Sequence, residues 1–456
     1  MPPSPNREYS GLLTDLYELT MAAGYLQTGF DARASFELFV RRLPPQRNFL
    51  VAAGLEQALE FSENVRFSPE DIDYVRRHPA FQHVDNDFFE HLSRFRFTGE
   101  IWAIPEGSIV FAGEPLLRVT APVIEAQILE THLLSTINFQ TMIASRAARV
   151  FLAAKGRPVV EFGARRAHGT EAGIFAARAS WIAGCEGTSN VFAGDRFNLP
   201  TYGTQAHSWI MAFDEESEAF ARFLDVFPDH ATLLVDTYNV RAAIKKIIAS
   251  GRKPAGVRLD SGNVEADSRW VRQQLKRAGW GDVQIFASGD LDEHKIASLL
   301  RRGAQVDAFG VGSALVAPTD APNLSMIYKL VEIERGGRVR QAAKLSEAKA
   351  TYPARKQVFR FADSRGTWKS DLIALADEAY PGASPLLVPV MRGGKRLAPA
   401  EPLAAARTRF LDSMKRLPAR LLSLRPASPY PVRYSKRLKS SLEEVRRRVR
   451  REGSLI

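Results

Sequence analysis

Between Pro158 and Val316 the chain alternates short apolar runs with longer amphipathic stretches. The runs are Val159-Val160-Glu161-Phe162, Leu233-Leu234-Val235-Asp236, Val257-Arg258-Leu259-Asp260, Gln284-Ile285-Phe286-Ala287-Ser288 and Val306-Asp307-Ala308-Phe309-Gly310. Near-continuous apolar strands separated by helices belong to a parallel sheet covered on both faces, so a parallel α/β barrel or sheet is expected. Each run ends in polar residues or glycine: Arg165 and Arg166, Asp236, Asp260-Ser261-Gly262, Ser288-Gly289-Asp290, and Gly310-Val311-Gly312-Ser313. In a barrel, the carboxyl ends of the strands carry the active site.

The flanking segments have other periods. Leu13 to Ala23 reads as a helix opened by Thr14 or Asp15, with Glu18 placed for a capping box and Gly24 as its stop. Gly99 to Thr120 reads as a meander of three strands separated by Pro105-Glu106-Gly107 and Gly113-Glu114-Pro115. Val123 to about Ala154 is helical, and Gly156 with Pro158 stops it. Met326 to Ile333 reads as a strand returning to a second layer. The expected division is an N-terminal α+β part over 1–122, a barrel over 123–325 and a C-terminal part over 326–456.

Composition narrows the class. The 456 residues are 45% hydrophobic and 10% aromatic, enough for a sizeable core. Residues 1–7 contain no apolar leader and no stretch is long enough to span a bilayer, so neither export nor a membrane partner is expected. Cys185 is the only cysteine, which excludes an internal disulfide and a multi-cysteine zinc site and fits the cytoplasm. A buried small hydrophobe accounts for it. The net charge of +11 is local: residues 401–456 hold 15 Lys/Arg and 5 Asp/Glu, 15 − 5 = +10, leaving about +1 for the rest. The basic end reads as a solvated helix with internal ion pairs, since no aromatic residues for base stacking sit among its arginines, and a nucleic-acid partner is disfavoured.

Several residues could carry chemistry. Gly310-Val311-Gly312-Ser313 follows a strand, and its glycines let backbone N–H groups approach a phosphate, although Leu315 breaks the dinucleotide fingerprint. A tight turn is the plainer alternative. Arg258-Leu259-Asp260-Ser261-Gly262 offers a cation, a carboxylate and a hydroxyl suited to an anion and a ribose diol. Gly203-Thr204-Gln205-Ala206-His207-Ser208 sets a histidine among small polar residues, where it is either a structural hydrogen-bonding group or a base or phosphate acceptor. Asp236 is the carboxylate expected to orient it. His83, Asp85, Asp87 and His91 read as the polar face around Phe88 and Phe89, so no side-chain metal site is assigned.

Taken in order, Leu13-Thr14-Asp15-Leu16-Tyr17-Glu18-Leu19-Thr20-Met21, Glu161-Phe162-Gly163-Ala164-Arg165-Arg166, Gly187-Thr188-Ser189-Asn190, Gly203 to Ser208, Leu234-Val235-Asp236-Thr237-Tyr238, Gly256 to Gly262 and Phe309 to Ser313 resemble nicotinate phosphoribosyltransferase. The likeness spans about residues 10 to 360 and is loose over the last hundred. It implies an irregular parallel α/β barrel beside an α+β domain built from N- and C-terminal segments, working as a homodimer with shared active sites. It also implies ATP-coupled transfer of phosphoribosyl from phosphoribosyl pyrophosphate to nicotinate, with Mg²⁺ on the substrate and a phosphohistidine at His207. By this resemblance Asp236 orients His207, and Asp260 serves the ribose. Tyr17 and Phe162 sandwich the pyridine, and Arg165, Thr204 and Arg258 surround the ligands. Ser261, Gly262, Ser288, Gly289, Gly310, Gly312 and Ser313 form the phosphoribosyl and phosphate site.

Nicotinamide phosphoribosyltransferase is the nearest alternative. Sequences resembling it carry an aspartate after Gly-Thr, which would repel a carboxylate substrate; this chain has Ser189 there. Quinolinate phosphoribosyltransferase lacks the Thr-Asp-Leu-Tyr segment. The first phosphoribosyltransferase fold class shows two adjacent acids after an apolar run, where Leu233 to Thr237 has one. A nucleic-acid-binding or scaffold protein would use the basic tail but leave Tyr17, His207, Asp260 and Ser313 without a common purpose.

Overall fold

A computed structural model describes residues 9–346 and 350–453; residues 1–7, read above for a leader, lie outside them. The chain divides into two compact units, residues 1–142 with 323–456, and residues 143–322. The first division thus falls inside the helix Glu130–Ala154, later than the strand-to-helix junction at 122/123. Among the described residues no helix is long and apolar enough to cross a membrane.

The first unit joins both ends of the chain through one antiparallel sheet. Arg33–Val40 is an interior strand, paired on one side with Pro115–Pro122 and on the other with Met326–Arg335. Seven of the eight residues of Arg33–Val40 are at least partly shielded, as a strand enclosed by neighbours requires. Two sequence expectations change here. Glu100–Ala103 pairs directly with Pro115–Pro122, while Ile109–Val110 leaves to pair with Leu50–Val51, so the meander is broken. The N-terminal helix runs from Leu16 to Gln27 with Asp15 at its cap, no side-chain cap bond and no stop at Gly24. Its capping box fails because Glu18 is fully buried and accepts from the Thr14 and Thr131 hydroxyls instead.

The second unit contains six parallel strands: β1 (Val159–Glu161), β2 (Gly187–Thr188), β3 (Thr232–Leu234), β4 (Gly256–Leu259), β5 (Gln284–Ala287) and β6 (Ala308–Val311), in the order β2-β1-β6-β5-β4-β3. The helices between them bury one face each, as in Val264–Arg277, where Val264, Val271 and Leu275 point inward. β2 was missed from sequence because Gly-Thr is no apolar run.

The edges β2 and β3 are joined indirectly. Thr201 forms a parallel bridge to Thr188 of β2, and four residues later the Gln205 side chain accepts the Leu234 N–H of β3 at 3.2 Å. A side chain therefore replaces one rung of the ladder, which makes the parallel ring irregular. Gln205 is 3% exposed, so the bond lies away from water. Replacing Gln205 with Leu should orphan the Leu234 N–H and cost about 1–3 kcal/mol, read as a lower urea midpoint at unchanged slope. An unchanged midpoint contradicts this role.

Candidate active site

A cleft of about 430 Å³ opens at the carboxyl ends of β1, β4, β5 and β6, lined by Phe162, Arg165, Arg166, Arg258, Asp260, Ser261, Gly262, Val264, Ser288, Gly289, Asp290, Gly310, Gly312 and Ser313. Eleven of these were expected from the sequence. Arg166, Val264 and Asp290 add to the expected site, although the strand-end clustering already marked Arg166 and Asp290. Val264 is 9% exposed and carries no polar signal by which it could be found.

Arg258 organises the cleft. It leaves β4 and donates from Nε to Ser288 Oγ at 2.7 Å, from Nη1 to Thr204 Oγ1 at 2.7 Å and from Nη2 to Asp260 Oδ1. Ser288 Oγ donates in turn to the same Asp260 oxygen. The guanidinium also lies over the Phe162 ring, 5.6 Å from its centroid. Arg258 was expected to reach toward the ligands. It does line the cleft, and each of its three nitrogens also bonds protein, which fixes its charge beside Phe162.

Arg165 and Arg166 follow β1 in a short 3₁₀ turn and are exposed, and among the described residues their side chains make no hydrogen bond or ion pair. Their charges are free to meet an anion. Beneath them Glu161 is fully buried, accepting from Thr188 Oγ1 at 2.6 Å and from the Gly163 N–H. Burial holds its carboxyl above the usual range, against the lowering effect of those two donors. It braces the turn that aims Phe162 and the arginines.

The glycines permit close approach. A Cβ on Gly310 would enter the Phe162 and Phe286 rings, and one on Gly289, at φ +85°, would run into the Asp260 carbonyl. Gly312 precedes Ser313, which starts the one-turn helix Ser313–Val316, and Arg146 Nε donates to Ala314 O at 3.1 Å to hold that turn. Arg146 and Arg149 share the Glu293 carboxylate at 2.6 and 2.8 Å, a buried ionic support behind the loop.

His207 begins the helix His207–Met211, outside the residues lining the cleft but beside Asp260. Its Nδ1 lies 3.1 Å from Thr237 Oγ1 and its Nε2 3.7 Å from Asp260 Oδ2. The expected Asp236–His207 pair does not form. Asp236 Oδ2 accepts instead from the Asp260 N–H at 3.0 Å and from Ser261 Oγ at 2.5 Å, so it braces the β4 loop. Thr237, the next residue, faces the imidazole. Thr237 lies in the bend that follows β3, past the strand's own period, so the apolar run did not single it out.

Tyr17 does not line this cleft. It belongs to the first unit, 46% exposed, its hydroxyl pKa raised by burial and by Glu130 and Glu18. Burial pushes the Glu18 carboxyl up to about 7.

Burial alone would raise the Asp260 pKa, but the Ser288 hydroxyl, Arg258 and His207 together bring it below the ordinary 3.8. A carboxyl depressed in the folded state contributes stability above about pH 3.8 and loses it as pH falls through the lower folded value. Asp260→Asn should therefore flatten the acid-side fall in stability. Urea midpoints at pH 7 and pH 3 test this, and parallel falls in both proteins reject it.

The nicotinate phosphoribosyltransferase (NAPRTase) N-terminal domain matches residues 12–138, and the nicotinate phosphoribosyltransferase (NAPRTase) family matches residues 158–370. Nicotinate phosphoribosyltransferase pncB2 of Mycobacterium tuberculosis is 43% identical over 449 residues, spanning 96% of this chain and 95% of that protein. The nicotinate phosphoribosyltransferase of Bacillus subtilis is 41% identical over 378 residues, 80% of this chain and 76% of that one. The crystal structure of human nicotinic acid phosphoribosyltransferase superposes with a TM-score of 0.82 at 28% identity, covering 95% of this chain and 99% of the human one. Every cleft residue lies within the segment 158–370, and with near-complete coverage by such relatives the chain belongs to the nicotinate phosphoribosyltransferase family.

Proposed function

We propose that the chain transfers phosphoribosyl from phosphoribosyl pyrophosphate to nicotinate, yielding nicotinate mononucleotide and pyrophosphate in NAD biosynthesis, with ATP hydrolysis coupled through a phosphohistidine at His207. The observation that carries this reading is the union of two unpaired arginines, an oriented carboxylate and a histidine at the strand ends. The relatives' names supply the acid as substrate, and Ser189 places no charge that would repel it.

In the transfer the pyridine nitrogen forms a bond to C1′ as the C1′–O bond to pyrophosphate breaks. Positive charge develops on the ribose, and an anion near it stabilises that state. Asp260 is suited to this because its ionised form is favoured. Arg165 meets the nicotinate carboxylate, Arg166 holds a phosphate group, and the Gly310 to Ser313 turn presents backbone N–H groups to the ribose phosphate. Phe162 supplies one stacking face for the ring, an interaction worth on the order of 1 kcal/mol. Tyr17 is the residue proposed for the other face, in a homodimer with shared active sites.

Among the described residues no group of three or more His, Cys, Asp or Glu side chains could hold a metal ion. Mg²⁺ in this reading arrives as part of the pyrophosphate substrate. For ATP, a neutral His207 with Nδ1–H donated to Thr237 leaves the Nε2 lone pair free to attack the γ-phosphorus, with ADP leaving. The cytoplasm, where NAD precursors and ATP meet, is the proposed location.

The test is chromatography of products from phosphoribosyl pyrophosphate and Mg²⁺ with nicotinate or nicotinamide, with and without ATP. ATP-stimulated nicotinate mononucleotide is expected; nicotinamide mononucleotide as main product would favour the amide-using relative. His207→Ala should abolish ATP stimulation while leaving slow ATP-independent transfer, and stimulation that survives rejects the histidine's role. Thr237→Val should lower ATP-driven turnover roughly tenfold, with Thr237→Ser restoring it, on the basis of one lost orienting hydrogen bond of about 1.5 kcal/mol. Equal rates in all three proteins would show that Thr237 does not position the ring.

A further inference from the structure

The helix Lys436–Gly453 carries much of the chain's positive excess, and the reaction proposed above has no use for it. Four of its charged residues, Lys439, Glu443, Arg446 and Arg447, line a groove of about 410 Å³ together with Tyr352, over the buried side chain of Leu442. Arg446 donates to Glu443 at 2.6 Å, so the one carboxylate is already occupied. The side chains of Lys439 and Arg447 are exposed and, among the described residues, make no ion pair or hydrogen bond. Three cations less one carboxylate leave the groove at +2.

Tyr352 stacks on Tyr434, with ring centroids 4.1 Å apart and planes at 17°. Tyr434 does not line the groove, so it backs the Tyr352 ring and fixes it as an aromatic wall. The sequence places no aromatic residue among these arginines; the fold brings one from a distant segment. A phosphate monoester carries about −1.5 to −2 at neutral pH, matching the groove's charge, and an aromatic base stacks on tyrosine with little regard to its identity. A single aromatic wall in a groove of this size suits one base rather than a strand.

We propose that this groove binds a mononucleotide, an aromatic base carrying one phosphate monoester, at a site that shares no residue with the barrel cleft. Equilibrium dialysis of the full-length chain against AMP, ribose 5-phosphate and adenosine tests it, on wild type, Arg447→Glu and Tyr352→Leu, with urea midpoints to confirm folding. Arg447→Glu, on an exposed residue, should remove one equivalent of bound AMP per chain while turnover without AMP is unchanged. Tyr352→Leu should weaken that AMP site roughly tenfold, with ribose 5-phosphate unaffected. An AMP isotherm of Arg447→Glu that superimposes on wild type overturns the proposal, as does ribose 5-phosphate binding as tightly as AMP. Tighter retention of a single-stranded oligonucleotide than of AMP, lost in Arg447→Glu, would assign the groove to nucleic acid and also overturn it.

Discussion

Arg258 ties three chain segments at the mouth of the barrel by committing every guanidinium nitrogen to protein: Thr204 from the loop before His207, Asp260 after β4, and Ser288 after β5. A planar, permanently charged fork can do this, whereas a lysine offers no such fixed geometry. The consequence is a division of labour among cations. Arg258 sets positions and holds Asp260 ionised, while Arg165 and Arg166 stay unpaired at the rim. Breaking the central group would leave a partly buried carboxylate uncompensated and release Thr204, so the damage would reach beyond a single contact.

The same economy of backbone shapes the walls. Gly289 and Gly310 admit the Asp260 carbonyl and the Phe162 ring to positions that a side chain would fill. Gln205 stands in for a strand rung and holds the segment that presents Thr204 and His207. Asp236 secures the Asp260–Ser261 turn. Each of these groups acts on placement, and the groups left facing the cleft can then act on substrate with little reorganisation, which is where electrostatic catalysis gains most.

Much of this was legible in the residues. Runs such as Val257-Arg258-Leu259 announce buried parallel strands, and the polar groups at their ends lie where a barrel gathers its site. What escaped did so for physical reasons. β2 is too short and too polar to show a period. Glu18 is deep in a folded environment, so a capping box that fits by spacing is overridden by burial. Ile109–Val110 pairs with a segment far earlier in the chain, which turn chemistry alone does not reveal. The Asp236–His207 pairing was expected from the strand order as well as from the resemblance, and only coordinates distinguish a side chain that reaches the ring, Thr237, from its neighbour that braces a loop. The aromatic wall beside the C-terminal arginines was likewise hidden by sequence distance.

The most direct measurement is the fate of the γ-phosphate. Incubation with γ-labelled ATP, quenching in base, and peptide mapping should place an acid-labile, base-stable phosphate on His207, absent from His207→Ala. Label elsewhere on the chain, or ATP-stimulated transfer with no labelled histidine, would contradict the coupling of ATP through this residue.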